Sequence, residues 1–380
     1  MPLKVAVNCW VLRNKNLDGI GYFTINTVSR IIENNPSVQF LILCDKNFTE
    51  NYFDFPNAVK YPIFPPLRHP VLYVLYMEVV VTLFLKKHNP DILLSPDGFL
   101  SLSTSKKQLP VIHDINFVHH PEGMKIQNRL YYNFFFKRFI KKATRIATIS
   151  QYSKQDIVTF YNADGNMVDV VYCAANINFH PLSQQEIENT RNSISDGHPY
   201  FLFVGSMHPR KNIKRLIEAF TLFKKRTQST YKLILAGSIL WRKSEIEGVY
   251  LSNEYKNDII FTGRVPDDEL QKITASAFAL SFVPIFEGFG MPIIEAMQCN
   301  VPVICSNITS MPEVAGNAAI LVDPFNIAEI ASAMEKLYLS DPQRQTLISL
   351  GAEQHKHFSW DKTATLLWES ILHTLEQLQY

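Results

Sequence analysis

The sequence predicts an α/β chain built as two successive doubly wound halves, and three stretches carry that prediction. Lys4–Cys9 alternates as a short strand, a polar loop leads to Asp18-Gly19-Ile20-Gly21, and Phe23, Ile25, Val28, Ile31 and Ile32 follow at helical spacing. The same order restarts at Tyr200–Val204, passes through Gly205 to Arg210-Lys211-Asn212, and enters a helix with apolar Ile213, Leu216, Ile217 and Phe220. The third stretch runs from the apolar strand Phe278–Val283 through Glu287-Gly288-Phe289-Gly290-Met291 to a helix opening at Pro292, where a missing N–H does no harm. Strand, glycine turn and helix in that order is the opening of a nucleotide-type α/β unit.

Composition agrees. A chain of 380 residues, 47% hydrophobic and 19% charged, has the balance of a globular protein with a large core, and its length suits about two or three domains. A net charge of +2 gives no global case for nucleic acid. Cys9, Cys44, Cys173, Cys299 and Cys305 are scattered and odd in number, which reads as reduced core thiols in a cytoplasmic protein. MPLKVAVNCW reads as a strand rather than a leader.

In chain order, Phe40–Asp45, Asp91–Ser95, Pro110–His113, Arg145–Ser150 and Val168–Tyr172 read as further strands of the first half. The apolar segment from Val71 to Lys87 is interrupted by Glu78 and falls short of the roughly 20 residues of a membrane span, so a buried or interfacial helix is expected. His113-Asp114 closes a buried strand, the end of an α/β sheet where ligands bind. There a histidine can meet a hydroxyl or exchange a proton, or be held by neighbouring backbone. His119-His120 alone makes no metal site, and none is expected elsewhere.

Residues 123–155 contain no Asp or Glu but eight Lys and Arg, interleaved with Tyr131, Tyr132, Phe134, Phe135, Phe136 and Phe139. One reading is a helix packing its aromatics on the core. The other is a basic, aromatic face for anionic lipid or a lipid-linked pyrophosphate acceptor. Base stacking on nucleic acid is disfavoured by the rest of the chain. Ser150 is the expected N-cap of the next helix, and the polar segment Asn176–His198 reads as a linker.

In the second half, Tyr231–Ala236, Asp258–Thr262, Pro302–Cys305 and Ala319–Val322 complete a sheet, the last two as edge strands. Helices are expected at Asp267–Ala275, Ile327–Leu339 and Pro342–His355, with an amphipathic one from Trp360 to Leu378. Arg210 and Lys211 near a helix start oppose its dipole unless an anion sits between them, and a pyrophosphate fits. The glycine loop before Pro292 offers free helix N–H groups to a phosphate, flanked by Glu287 and, after seven intervening residues, Glu295. Carboxylates accept from hydroxyls, so sugar on both sides of a phosphate is suggested, the outline of a nucleotide sugar.

F-E-G-F-G-M-P-x-x-E-A-M followed by V-P-V-I-x-S and P-E-V-x-G resembles the E-x7-E signature of retaining GT-B glycosyltransferases of family 4. The likeness runs over nearly the whole chain and is densest from 200 to 325. It implies two Rossmann-like domains facing across a cleft: 1–178, completed by a C-terminal helix 361–380, and a donor domain 198–360. By resemblance, Glu287, His113, Arg210 and Lys211 are catalytic, with the two cations holding the diphosphate in place of a metal. Many relatives carry Arg where Ser206 stands, so Arg210 takes that role. Glu295, Gly288, Phe289, Gly290, Met291, Gly205, Val265 and Gly21 would contact the donor, Val265 through backbone beside the base. The Cys173–Asn178 segment departs from the usual P-x-G-V-D. No cofactor is implied beyond the nucleoside-diphosphate sugar, with GDP-mannose first. The acceptor is a polysaccharide or lipid-linked glycan at the inner face of a membrane. A GT-B sugar-nucleotide epimerase and a non-catalytic nucleotide-sugar-binding subunit are the alternatives.

Overall fold

The computed structural model describes residues 2–13, 17–45, 51–63, 70–238 and 243–376. The chain divides into two compact units, Met1–Cys173 with Ser359–Tyr380, and Ala174–Phe358.

The first unit holds a seven-stranded parallel sheet. Its strands are β1 (Lys4–Asn8), β2 (Gln39–Asp45), β3 (Ala58–Ile63), β4 (Ile92–Ser95), β5 (Lys107–Ile112), β6 (Ile146–Thr148) and β7 (Val168–Val170), in the order β3-β2-β1-β4-β5-β6-β7. Parallel strands covered on both faces need apolar residues at every position. In β1, Val5, Ala6 and Val7 are accordingly all fully buried, paired in register with Phe40, Leu41 and Ile42 of β2. The order reverses between β1 and β4.

Helix α1 (Gly19–Asn34) begins at the glycines rather than after them. Asp18 is its N-cap, with Oδ1 accepting the amide of Gly21 at 2.9 Å. Gly19 and Gly21 therefore lie in a helical turn, because a capping aspartate satisfies the amides that an open loop would have presented. The apolar segment after residue 70 forms α2 (Pro70–Leu75), a π-helical turn (Tyr76–Val81) and α3 (Thr82–His88). Glu78 turns its carboxylate to the amides of Leu102 (2.8 Å) and Ser103 (2.9 Å). Among the described residues no helix is long and apolar enough to cross a membrane.

Next come α4 (Asn116–His119), α5 (Ile126–Lys142) and α6 (Gln151–Tyr161). Ser150 caps α6 by accepting from the Ser153 amide at 3.0 Å, as its sequence position suggests. The last helix of the chain also belongs to this unit. It packs on α1 with Trp360 against Phe23 (ring centroids 6.2 Å), and Arg30 pairs with Asp361 at 2.7 Å.

In the second unit, residues 176–198 are not a linker throughout. They form α7 (Gln184–Ser195), nucleated by a capping box between Ser183 and Glu186, and Arg191 donates to the Ser276 carbonyl at 2.9 Å. The sheet comprises β8 (Tyr200–Val204), β9 (Lys232–Ala236), β10 (Ile259–Gly263), β11 (Ala279–Phe282), β12 (Val303–Ser306) and β13 (Ala319–Val322), in the order β10-β9-β8-β11-β12-β13. Of the two strands expected at the edge, β13 is one. β12 is internal, paired on both sides and fully buried. The helices are α8 (Ile213–Thr227), α9 (Lys243–Leu251), α10 (Asp267–Ala275), α11 (Met291–Gln298), α12 (Met311–Ala315), α13 (Ile327–Leu339) and α14 (Asp341–Gln354), before α15 (Trp360–Glu376) returns to the first unit. Leu378 lies outside the described residues. Phe201, Phe203, Phe220, Phe223 and Phe282 fill the core between the sheet and its helices, all fully buried.

Candidate active site

In the second sheet the strand order reverses between β8 and β11, and the crevice beyond the carboxyl ends at such a point is where α/β sheets bind ligands. The loops leaving these two strands carry Arg210-Lys211 and Glu287. Gly205 ends β8 at φ +144° and Gly237 ends β9 at φ +145°. A Cβ on Gly237 would lie 2.0 Å from the Gly205 carbonyl oxygen, so the two loops cross where no side chain fits. Met207 donates its amide to the Ser238 carbonyl at 2.9 Å, tying the loops together.

Arg210 and Lys211 lie in a 3-10 turn (Pro209–Lys211) ahead of α8 rather than in the helix itself. Asn212, in the left-handed region at φ +64°, joins turn to helix. Its Nδ2 donates to the carbonyls of Val283 (3.0 Å) and Pro324 (2.7 Å), beyond β11 and β13. The Ile285 amide donates to the Arg210 carbonyl at 2.7 Å. Backbone bonds thus fix the cation turn against the carboxylate loop.

Arg210 Nη1 donates to Glu287 Oε2 at 2.6 Å and to the Phe286 carbonyl at 3.0 Å, and Lys211 Nζ reaches the same Oε2 at 2.5 Å. The sequence asked for an anion between these cations, and the protein supplies one of its own. Burial pushes the Glu287 carboxyl up, but Arg210 and Lys211 outweigh it and hold the pKa down at about 2. Both cations converge on Oε2, which leaves Oε1 able to accept from a hydroxyl.

Gly290, at φ +100°, caps α11 with Pro292 in its first turn, and a Cβ there would meet Met311 Cε at 2.7 Å. Ser310 Oγ donates to the carbonyls of Glu287 (2.9 Å) and Phe289 (3.1 Å), holding the glycine loop to its shape. The Phe289 side chain is buried against Phe358 (ring centroids 5.5 Å) and anchors the loop, so any ligand contact from this residue is through its backbone. Glu295 sits one turn into α11. Burial pushes its pKa up to about 7, although the Asn176 amide donates to it, and Asp267 adds to the rise. The Cys173–Asn178 loop, despite its unusual sequence, therefore reaches Glu295. Val265 is half-buried just beyond β10.

His113 and Gly21 lie in the first unit. His113 follows β5, and its Nε2 faces the Pro96 carbonyl at 2.9 Å. A carbonyl cannot donate, so Nε2 carries the proton and a neutral ring keeps Nδ1 as an acceptor. Burial lowers its pKa, opposed by the Pro96 bond and by Asp114 and Asp18. Phe23 meets the ring edge-on at 4.9 Å. Asp114 Oδ1 accepts from the backbone and side chain of Asn116 and shapes the turn. Gly21, with its amide already bonded to Asp18, offers space rather than a donor.

Sequence reasoning missed Asn212, Gly237 and Ser310. Gly237 ends a strand in the same way as Gly205, which was a usable signal. The partners of Asn212 and Ser310 are carbonyls distant in sequence and left none. Among the described residues no three His, Cys, Asp or Glu side chains gather as metal ligands.

Residues 184–354 match the family described as Glycosyl transferases group 1, and residues 17–179 match Glycosyltransferase Family 4. The chain is 30% identical over 261 residues to O-antigen chain mannosyltransferase B of Escherichia coli, covering 68% of each protein. It is 30% identical over 271 residues to O-antigen chain mannosyltransferase RfbU of Salmonella typhimurium, covering 71% of each. Among solved structures, Anabaena HepE in complex with UDP and glucose superimposes with a TM-score of 0.75 at 17% identity, over 98% of this chain and 100% of that one. The two doubly wound sheets are those of the GT-B fold.

Proposed function

The chain belongs to the family 4, or group 1, glycosyltransferases, and from that premise we propose that it moves mannose from GDP-mannose, with retention, onto a polysaccharide or lipid-linked glycan acceptor. The observation that carries the reading is the meeting of Arg210, Lys211 and Glu287 at the reversal point of the second sheet. The mannosyltransferase relatives support the sugar.

In this reading the donor diphosphate settles against Arg210 and Lys211. As the bond from the anomeric carbon to the diphosphate oxygen breaks, negative charge grows on that oxygen, and two fixed cations stabilise it without reorganising. They take the place a metal ion holds in other transferases. Glu287, ionised at every working pH, keeps the cations aimed through Oε2 and accepts a sugar hydroxyl at Oε1. Glu295 accepts from the ribose hydroxyls, and His113 Nδ1 accepts from the sugar. The acceptor hydroxyl attacks the face that the diphosphate leaves, through an ion-pair-like state. Its proton passes to the departing diphosphate oxygen, so no enzyme nucleophile is needed.

The test is transfer from GDP-, UDP-, ADP- and dTDP-sugars in EDTA, with the product anomer read by NMR. GDP-mannose turnover in EDTA that yields the α-product is expected. A trapped glycosyl–enzyme adduct overturns the mechanism, and no binding to any donor by folded protein overturns the site.

A further inference from the structure

Helix α5 presents Ile126, Leu130 and Phe134 to solvent, 72%, 65% and 52% exposed. Spaced four apart, they share one face of the first two turns. Toward the carboxyl end the same face carries Lys137 and Lys141, with Arg138 and Lys142 to its side, all four exposed. None of these four, nor Lys125 or Arg129, meets a carboxylate among the described residues. Arg138 instead stacks on Phe134, 3.5 Å from the ring centroid, and donates to the Phe134 carbonyl at 2.6 Å. Lysines at a helix carboxyl end suit the dipole, which accounts for Lys141 and Lys142 but not for Arg129 and Lys137 in the body of the helix.

Arg129 and Lys137 stand on the lip of a groove of about 600 Å³ whose apolar lining includes Phe117, Val118, Phe160 and Tyr161. Phe160 is itself 53% exposed. An apolar stripe beside an apolar groove, rimmed by cations that pair with no carboxylate among the described residues, matches a bilayer surface carrying negative charge. Two of the three stripe residues, Ile126 and Leu130, are aliphatic and stack no bases, which argues against single-stranded nucleic acid.

We propose that α5 docks this unit obliquely on an anionic lipid surface. Ile126, Leu130 and Phe134 enter the acyl boundary, while Arg129 and Lys137 clasp a lipid phosphate at the groove. The proposal deepens the lipid-linked acceptor reading above and rests on it for its purpose, while its geometry lies wholly in the first unit.

The test sediments the full chain with vesicles of phosphatidylcholine alone and of phosphatidylcholine with phosphatidylglycerol, 7:3. Nucleoside-diphosphate binding and circular dichroism are measured on the same samples. Binding to the anionic vesicles alone, weakening with salt, is expected. Arg129→Gln/Lys137→Gln should lower partitioning about 30-fold, about fivefold for each cation. Leu130→Ser/Phe134→Ser should lower it at least ~10-fold. Lys256→Gln/Lys362→Gln removes the same charge elsewhere and should stay within about twofold of the unaltered chain. Equal binding to both vesicles, or α5 variants no weaker than that control, overturns the proposal. Release from vesicles by millimolar glycerol phosphate also overturns it, since the groove would then serve a soluble phosphate. Loss of nucleotide binding with vesicle binding intact counts against the donor site alone, and the reverse counts against docking alone.

Discussion

Replacing Glu287 with Gln separates the two tasks assigned to this carboxylate. The side chain is 17% exposed, and its partners Arg210 and Lys211 are 19% and 9% exposed, so the cluster is largely shielded from water. The cations hold the Glu287 pKa at about 2 against an ordinary value of 4.5, worth about 3 kcal/mol of differential stabilisation. Because the folded pKa is the lower one, that stability is present above about pH 4.5 and lost as pH falls toward 2. Gln keeps the shape but not the charge, and the variant should melt about 6–12 °C lower at pH 7, at roughly 2–4 °C per kcal/mol for a domain of this size. Diphosphate binding should move the other way. A phosphate touching both cations sits about 5–6 Å from the carboxylate, and removing one like charge at that distance relieves about 3 kcal/mol at an effective dielectric of about 20. Residual solvent screening trims this to a 10- to 100-fold tighter nucleoside-diphosphate complex. Sugar transfer should nevertheless fall at least ~100-fold, since a neutral amide is a weaker acceptor for the sugar hydroxyl. Calorimetry with the diphosphate and a transfer assay on one preparation decide it. A Gln variant that binds the diphosphate more weakly while folded would refute the claim that Glu287 and the diphosphate compete for the same cations.

Glu295 should make donor binding pH-dependent. With a pKa of about 7 it is protonated at pH 6 and loses its acceptor role toward ribose, so affinity should rise between pH 6 and 8. In Glu295→Gln that increment should vanish. The variant should also gain up to about 3 kcal/mol over the native chain at pH 8 but none at pH 4, because a raised folded pKa costs stability only as pH climbs from 4.5 through 7. Gly237→Ala should destabilise the second unit by more than about 3 kcal/mol and abolish nucleotide binding, read by thermal melting, since its Cβ would collide with the Gly205 carbonyl. Asn212→Ala strands the Val283 and Pro324 carbonyls at about 1–3 kcal/mol each and should weaken diphosphate binding through the displaced Arg210-Lys211 turn. Nitrogen NMR of His113 should show the Nε2–H tautomer and a pKa below 6.5, and a ring charged at pH 7 would contradict the acceptor role given to Nδ1.

The local grammar of this chain was legible before any coordinates. Apolar runs such as Phe278–Val283, too short for a helix and bounded by a glycine loop, read as buried strands of a parallel sheet. Gly290 two residues before Pro292 marks a helix entrance, as Pro suits the first helical turn. Glu287, Glu295, Arg210 and Lys211 stood out because charged residues at those places need partners. Besides Gly237, two local signals were present yet passed over: the Ser183–Glu186 capping box inside a supposed linker, and β3, whose Lys60 and Pro62 break its apolar pattern because it lies at the sheet edge.

What tertiary structure alone decided are the pairings between distant segments. Glu287 neutralises cations 76 and 77 residues away, Asn176 reaches Glu295, Gly237 crosses Gly205, and β12 lies inside the sheet rather than at its rim. The physical reason is common to all of them. Strand and helix propensities are set by neighbours along the chain, whereas the order in which parallel strands associate is set by the packing of whole layers. That order determines which loops share a crevice, and so which charges meet in the site.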